Sequence, residues 1–141
     1  MQQVLETTVA RYLLVDDSPT IRLTLAAAIK QATRTLPEIL EASDATQALQ
    51  QFKKGPVDAV FLDMVLDETQ ESGLHLMDKL LAIDPKTRVI LVTGLPSSDP
   101  VVVKGIRQGA FAFLPKPART DAIRKILNEM ETESGRFGRI R

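Results

Sequence analysis

Short apolar runs recur along the chain and are typical of buried β-strands. The five runs predicted as strands are residues 12–15, 38–42, 58–62, 89–92 and 111–114. In three of them, at 13–15, 60–62 and 89–92, apolar residues follow one another without polar alternation. Strands of this kind are buried on both faces, as in a parallel sheet that helices cover on either side.

Between these runs, apolar residues return at helical spacing behind capping signals. Ser18 followed by Pro19 is a good helix start, because Ser caps the first turn and Pro fits the first helical position. Asp44 has the same capping role before the second helix. The predicted helices cover residues 19–33, 45–54, 74–83, 100–108 and 120–133. Strands that alternate with helices in this way predict an α/β fold.

The length and charge of the chain restrict its class. Its 141 residues suffice for one domain, which we place at 10–133 between an N-terminal tail (1–9) and a C-terminal tail or truncated linker (134–141). Lys plus Arg and Asp plus Glu both number 18, so no basic excess indicates nucleic-acid binding. The start of the chain lacks a signal-peptide pattern, and no apolar stretch approaches the roughly 18 residues of a membrane span. We therefore expect a cytoplasmic protein that binds neither nucleic acid nor membrane directly.

Polar residues stand where four of the predicted strands end. In chain order they are Asp16 and Asp17 after the first strand, Asp63 after the third, Thr93 at the end of the fourth and Lys116 just after the fifth. Alone, each has an ordinary structural explanation, such as a turn, a cap or a surface charge. Ligands of open parallel sheets, however, bind beyond the carboxyl ends of the strands. Together, the five residues therefore favour a shared site.

The residue types at this edge indicate phosphoryl chemistry. The chain has no cysteine and one histidine, so thiolate and His-rich metal sites are excluded. Three close carboxylates repel one another, and a hard cation with oxygen ligands such as Mg²⁺ relieves that repulsion. A hydroxyl and an ammonium beside them suit a phosphoryl group, whose transfer needs mainly positioning and charge stabilisation.

Five motifs make the chain similar to a known family. They are YLLVDDSP (12–19), VFLD (60–63), VTG (92–94), GA (109–110) and LPKP (114–117). With them the chain resembles the chemotaxis-type receiver domain of two-component response regulators over about residues 10–132. The resemblance implies a flavodoxin-like, doubly wound α/β fold: a five-stranded parallel sheet of order 2-1-3-4-5 with five helices.

The resemblance also implies how the acidic residues act. Asp63 is expected to be the phosphoacceptor, which takes a phosphoryl group from a histidine kinase or a histidine phosphotransfer protein. Asp16, Asp17, Asp63 and the backbone carbonyl of Val65 are expected to hold Mg²⁺ or Mn²⁺. The domain would then catalyse only its own phosphorylation and dephosphorylation, and would not be an enzyme that acts on a separate substrate.

The remaining expected roles concern the switch. Lys116 is expected to contact the phosphoryl oxygens, and its bond to Pro117 to be cis, which proline permits at modest cost. Thr93 is expected to move toward the phosphoryl group, and Phe113 to follow inward. The fourth helix, fifth strand and fifth helix would signal outward to a downstream protein or output domain, or through a phosphorylation-dependent dimer.

The chain departs from the family pattern near the acceptor. Leu66 and Asp67 stand where the family usually has Met-Pro, and the loop to Gly73 is about two residues longer. Val65 and Leu95 are apolar at two positions that influence how water reaches the phosphoryl group in the family. We therefore expect slow self-dephosphorylation. The one histidine, residue 75, fits a helix surface better than a relay or metal role.

Two other classes of protein fit the sequence less well. A phosphatase of the haloacid-dehalogenase type needs a second Asp two residues after its nucleophile, where this chain has Val65. A nucleotide-binding domain needs a Gly-rich loop after the first strand, which is missing. Two alternatives stay open: the N-terminal receiver fragment of a longer regulator whose output domain is absent, and a phosphate-independent protein-binding module.

Overall fold

The computed structural model describes residues 9–67 and 72–137, and the side chains up to residue 132. Five strands alternate with five helices in this part of the chain. The strands are β1 (Arg11–Val15), β2 (Glu38–Ala42), β3 (Ala59–Asp63), β4 (Arg88–Thr93) and β5 (Ala112–Pro115). The helices are α1 (Pro19–Ala32), α2 (Ala45–Phe52), α3 (Ser72–Ile83), α4 (Pro100–Arg107) and α5 (Thr120–Phe137). None of these helices is long and apolar enough to cross a membrane.

The strands form one parallel sheet in the order β2-β1-β3-β4-β5, which confirms the expected fold. The register pairs Leu62 with Leu91 and Asp63 with Val92, so β3 and β4 end almost level. Chain order reverses between β1 and β3, which are neighbours in the sheet. The acidic residues therefore lie at the switch point of the sheet, where such folds bind ligands.

Helices cover both faces of the sheet because successive strand residues point to opposite sides. Leu13 and Val60 point to the face covered by α2, α3 and α4, whereas Leu14 and Phe61 point to the face covered by α1 and α5. All four side chains are fully buried. The apolar runs of the sequence are thus strands packed on two sides, as predicted.

Side-chain caps begin the helices where the sequence indicates. Ser18 Oγ accepts a hydrogen bond from Ile21 N (3.2 Å), and Asp44 Oδ1 accepts one from Gln47 N (2.8 Å). Asp99 caps α4 in the same way, although the sequence did not single it out. These bonds satisfy backbone donors that the first helical turn leaves unpaired.

The last helix is longer than predicted. We expected it to end at residue 133, but α5 continues to Phe137 and so enters the segment interpreted as a tail or linker. A single helical glycine such as Gly135 costs only about 1 kcal/mol, and residues 136 and 137 include no proline that would stop the helix. Residues 138–141 and the first eight residues of the expected N-terminal tail lie outside the described residues.

Candidate acidic site at the carboxyl edge

Three carboxylates meet where β1 and β3 end. Asp16 and Asp17 follow β1, and Asp63 is the last residue of β3. One oxygen of each lies within 4.8 Å of an oxygen of the others. Asp16 and Asp63 are only 3% and 7% exposed, whereas Asp17 is exposed to solvent. The cluster is therefore open on the Asp17 side and closed by the sheet behind it.

Lys116 completes this cluster from the far end of the sheet. Its Nζ lies 3.3 Å from Asp16 Oδ2 and 3.4 Å from Asp63 Oδ1. The peptide bond between Lys116 and Pro117 is cis, and Lys116 N donates to Thr93 O (2.8 Å). One ammonium thus faces two nearly buried carboxylates, which leaves the cluster with a net negative charge.

The environment of Asp63 disfavours its charged form. Burial raises the pKa of the Asp63 carboxyl above its ordinary value, and the charge of Asp16 raises it further. A hydrogen bond from Val65 N to Oδ1 (3.2 Å) and the Lys116 ammonium act in the opposite direction without cancelling the rise. The protein therefore holds a carboxylate that additional positive charge would stabilise.

Among the described residues, neither Thr93 nor Phe113 has a side-chain hydrogen bond or ion pair with the acidic cluster. The Thr93 side chain is 4% exposed, and its Oγ1 accepts a hydrogen bond from Leu95 N (3.1 Å). Phe113 is half-buried against the apolar core on the α2–α4 side of the sheet. Among the predicted residues, the two Asp that follow β1, Asp63 and Lys116 form one contiguous group.

Two residues that the sequence did not single out as functional shape the loop after Asp63. Ser72 Oγ accepts hydrogen bonds from Leu66 N (2.7 Å) and Asp67 N (3.3 Å). Gly73 N donates to Met64 O (2.9 Å), so the first turn of α3 rests on the backbone next to the acidic cluster. The available signal was a Ser-Gly pair at a helix start, which could not reveal what the pair contacts.

Other polar features lie away from this edge. His75 is exposed on α3, in agreement with its interpretation as a surface residue. A groove of about 910 Å³ lies between α5 and the segments before β4 and β5, lined among others by Lys86, Thr87 and Lys125. Thr87 Oγ1 is buried without a hydrogen-bond partner in the described part of the chain. None of the five strand-end residues lines this groove.

A switch-point acidic cluster on a doubly wound sheet of this strand order is the architecture of a receiver domain. The chain matches the model of the response regulator receiver domain over residues 12–128, and it belongs to this family. Receiver domains are signalling domains, and this chain is one.

Relatives and solved structures agree with this assignment. An NtrX-like response regulator of Rickettsia felis is 32% identical over 111 residues, which are 79% of this chain and 22% of the relative. The chemotaxis protein CheY of Thermotoga maritima is 26% identical over 85% of this chain and 96% of its own length. The receiver domain of NtrX from Brucella abortus superposes with a TM-score of 0.74 at 28% identity, covering 84% of this chain and 96% of that one. The chain thus spans about a fifth of its NtrX-like relatives.

Proposed function

We propose that this receiver domain takes a phosphoryl group onto Asp63 from a phosphohistidine of a histidine kinase or a histidine phosphotransfer protein. One observation carries the proposal: the Asp63 carboxylate lies within 4.8 Å of two other carboxylates and 3.4 Å from an ammonium. An Asp that only formed a turn at the end of a strand would not need two carboxylates and an ammonium beside it. Burial also raises the pKa of the Asp63 carboxyl above its ordinary value.

The donor set fits Mg²⁺ or Mn²⁺. Asp16, Asp17 and Asp63 together with the carbonyl of Val65 would hold the ion, since all four donors are oxygen and hard cations prefer oxygen. Burial and the neighbouring charge of Asp16 raise the pKa of Asp63, and a bound cation would offset both effects, which supports the same assignment. When bound, the cation supplies positive charge to the carboxylates and to the incoming phosphoryl oxygens.

The side chains of the domain do the rest of the proposed chemistry. A carboxylate oxygen of Asp63 attacks the phosphorus while the bond from phosphorus to the donor imidazole nitrogen breaks. The Lys116 ammonium, already 3.4 Å from Asp63 Oδ1, pairs with the phosphoryl oxygens as charge shifts onto them. Because the Lys116 ammonium is positioned before the reaction, little reorganisation is required.

The proposed output begins at Thr93. Its hydroxyl exchanges the bond to Leu95 N for one to the phosphoryl group, and Phe113 moves inward with it. This changes the surface formed by α4, β5 and α5, which a downstream protein, an output domain or a second phosphorylated copy would read. A partner that binds the phosphorylated state more tightly than the unphosphorylated state shifts the equilibrium between the two conformations of this surface.

Phosphorylation by a small-molecule donor tests the proposal directly. We expect the protein, incubated with acetyl phosphate and Mg²⁺, to gain the mass of one phosphoryl group. The gain should vanish in Asp63→Ala and without Mg²⁺, because the nucleophile or the charge compensation is then missing. Intact-mass spectrometry measures it. An Asp63→Ala variant phosphorylated as efficiently as the parent would move the acceptor elsewhere.

The phosphoryl group on Asp63 is expected to be long-lived. The Val65 and Leu95 side chains, 38% and 36% exposed, are apolar and offer no hydrogen bond to an attacking water. A Val65→Asn variant supplies one such bond, worth about 1 kcal/mol, and should shorten the half-life roughly 5-fold. Val103→Asn, at the similarly exposed Val103 in α4, is the matched control. Decay of the phosphorylated mass measures both, and a parent half-life of seconds would contradict the expectation.

A further inference from the structure

Arg22 of α1 connects the ends of β1 and β2 beside the acidic cluster. Its Nη1 donates to the carbonyl oxygen of Asp16 (2.5 Å), and its Nε donates to Glu41 Oε1 (2.8 Å). The Arg22 side chain is only 15% exposed. A planar guanidinium has a fixed orientation when two of its nitrogens donate hydrogen bonds. Arg22 therefore restrains the carbonyl that it contacts.

Both backbone polar groups of Asp16, its N–H and its carbonyl, form hydrogen bonds. Asp16 N donates to Ala42 O (3.1 Å), and Asp16 O accepts from Arg22. That carbonyl belongs to the peptide plane between residues 16 and 17. Because a peptide unit is rigid, restraining its oxygen also restrains the position from which the Asp17 side chain departs.

The position of the Asp17 carboxylate depends on this backbone more than the positions of the other two carboxylates do. Asp16 accepts from Ser18 N (2.9 Å) and contacts Lys116, and Asp63 accepts from Val65 N. The Asp17 carboxylate is exposed and has no hydrogen bond or ion pair with any described residue. In the described part of the chain, its place within 4.8 Å of the other two therefore depends on the main chain.

We propose, building on the function inferred above, that Arg22 is a positioning residue: it holds the backbone that carries Asp17 and thereby raises the affinity of the cluster for a divalent cation. Arg22 does not touch the cation or the phosphoryl group. It acts through the Asp16 carbonyl, as supporting residues around metal ligands generally do.

The charge of Arg22 alone predicts the opposite effect. A cation next to a metal site repels the metal, so removing it would tighten Mg²⁺ binding if electrostatics dominated. If positioning dominates, removing the side chain releases Asp17 and weakens binding. The two explanations thus differ in the sign of one measurable change.

The chain offers a matched control at the other end of the same strands. Arg11 Nε donates to Glu38 Oε1 (3.0 Å) and its Nη1 to Pro56 O (2.6 Å), which repeats the geometry of Arg22. Arg11 and Glu38 side chains are 21% and 55% exposed, against 15% and 51% for Arg22 and Glu41. The Arg11 bonds lie at the amino end of β1, away from the cluster.

The experiment is a Mg²⁺ titration of the unphosphorylated protein, followed by NMR amide shifts, with melting temperatures recorded alongside. We expect Arg22→Ala to raise the Mg²⁺ dissociation constant about 10-fold and Arg11→Ala to leave it unchanged, although both lower the melting temperature. Arg22→Lys keeps the positive charge but lacks the planar guanidinium that makes two hydrogen bonds, so it should also weaken Mg²⁺ binding. This variant replaces Arg22→Ala if the alanine variant does not fold. Unchanged or tighter binding in the Arg22 variants overturns the proposal.

Failure of this inference and failure of the proposed function give different results. If the parent binds Mg²⁺ and gains a phosphoryl group from acetyl phosphate, but the Arg22 and Arg11 variants bind Mg²⁺ alike, only the positioning role of Arg22 is wrong. If the parent neither binds Mg²⁺ nor becomes phosphorylated, the proposed function itself is wrong.

Discussion

A Gly73→Ala substitution is expected to destabilise the domain by about 3 kcal/mol, at the upper end of what an overpacked site usually costs. A Cβ atom at this position would lie 2.4 Å from Asp63 O and 2.6 Å from Met64 Cα. Both neighbours are backbone atoms at the carboxyl end of β3, in Asp63 and the residue after it, so neither can move without disturbing that end of the strand. Alanine favours a helix by about 1 kcal/mol over glycine, which is too little to offset the clash.

Two other glycines calibrate this prediction. Gly94→Ala meets nothing within 4 Å and should change stability little. Gly105→Ala meets Leu91 Cδ1 at 2.4 Å and Leu74 Cδ2 at 3.0 Å, which are the ends of flexible side chains, so its effect should be intermediate. Urea unfolding monitored by circular dichroism measures all three. A Gly73→Ala protein as stable as Gly94→Ala would show that α3 is not seated on the Asp63–Met64 backbone.

An Asp16→Asn substitution is expected to weaken Mg²⁺ binding on the order of 100-fold. Asp16 is nearly buried, with one oxygen accepting from Ser18 N and the other facing Lys116, so its charge is poorly screened by solvent. The substitution keeps the shape and removes the charge. It also removes one of the interactions that raise the pKa of Asp63.

Isothermal titration calorimetry with MgCl₂ measures the loss of Mg²⁺ affinity in Asp16→Asn, and Asp78→Asn provides the control. Asp78 is exposed on α3, outside the cluster, so the same change of net charge there should leave Mg²⁺ affinity nearly unaltered. Equal affinities in the two variants would mean that the cation is held without Asp16. Phosphorylation of Asp16→Asn by acetyl phosphate should fall together with the affinity.

Much of the fold could be predicted because local patterns report burial directly. Apolar runs without alternation, such as 13–15 and 60–62, have to be covered on both faces, and this holds in the sheet. Capping by Ser18 and Asp44 was predictable for the same reason, since a cap bonds to a backbone amide three residues away. The predicted end of α5 at residue 133 was wrong because a single glycine such as Gly135 is a weak stop signal for a helix.

The sequence by itself determined which residues reach the carboxyl edge, because an acid or a lysine that follows a buried run has to leave the sheet there. It did not determine which of them touch. Lys116 meets Asp16 across 100 residues of chain, a contact that depends on strand order and on the path after β5. The close packing of Gly73 against the backbone of Asp63 also joins separate elements of the fold, and so do the two hydrogen bonds of Arg22. Periodicity and capping are local and can be read along the chain, whereas these distances exist only once the elements have packed.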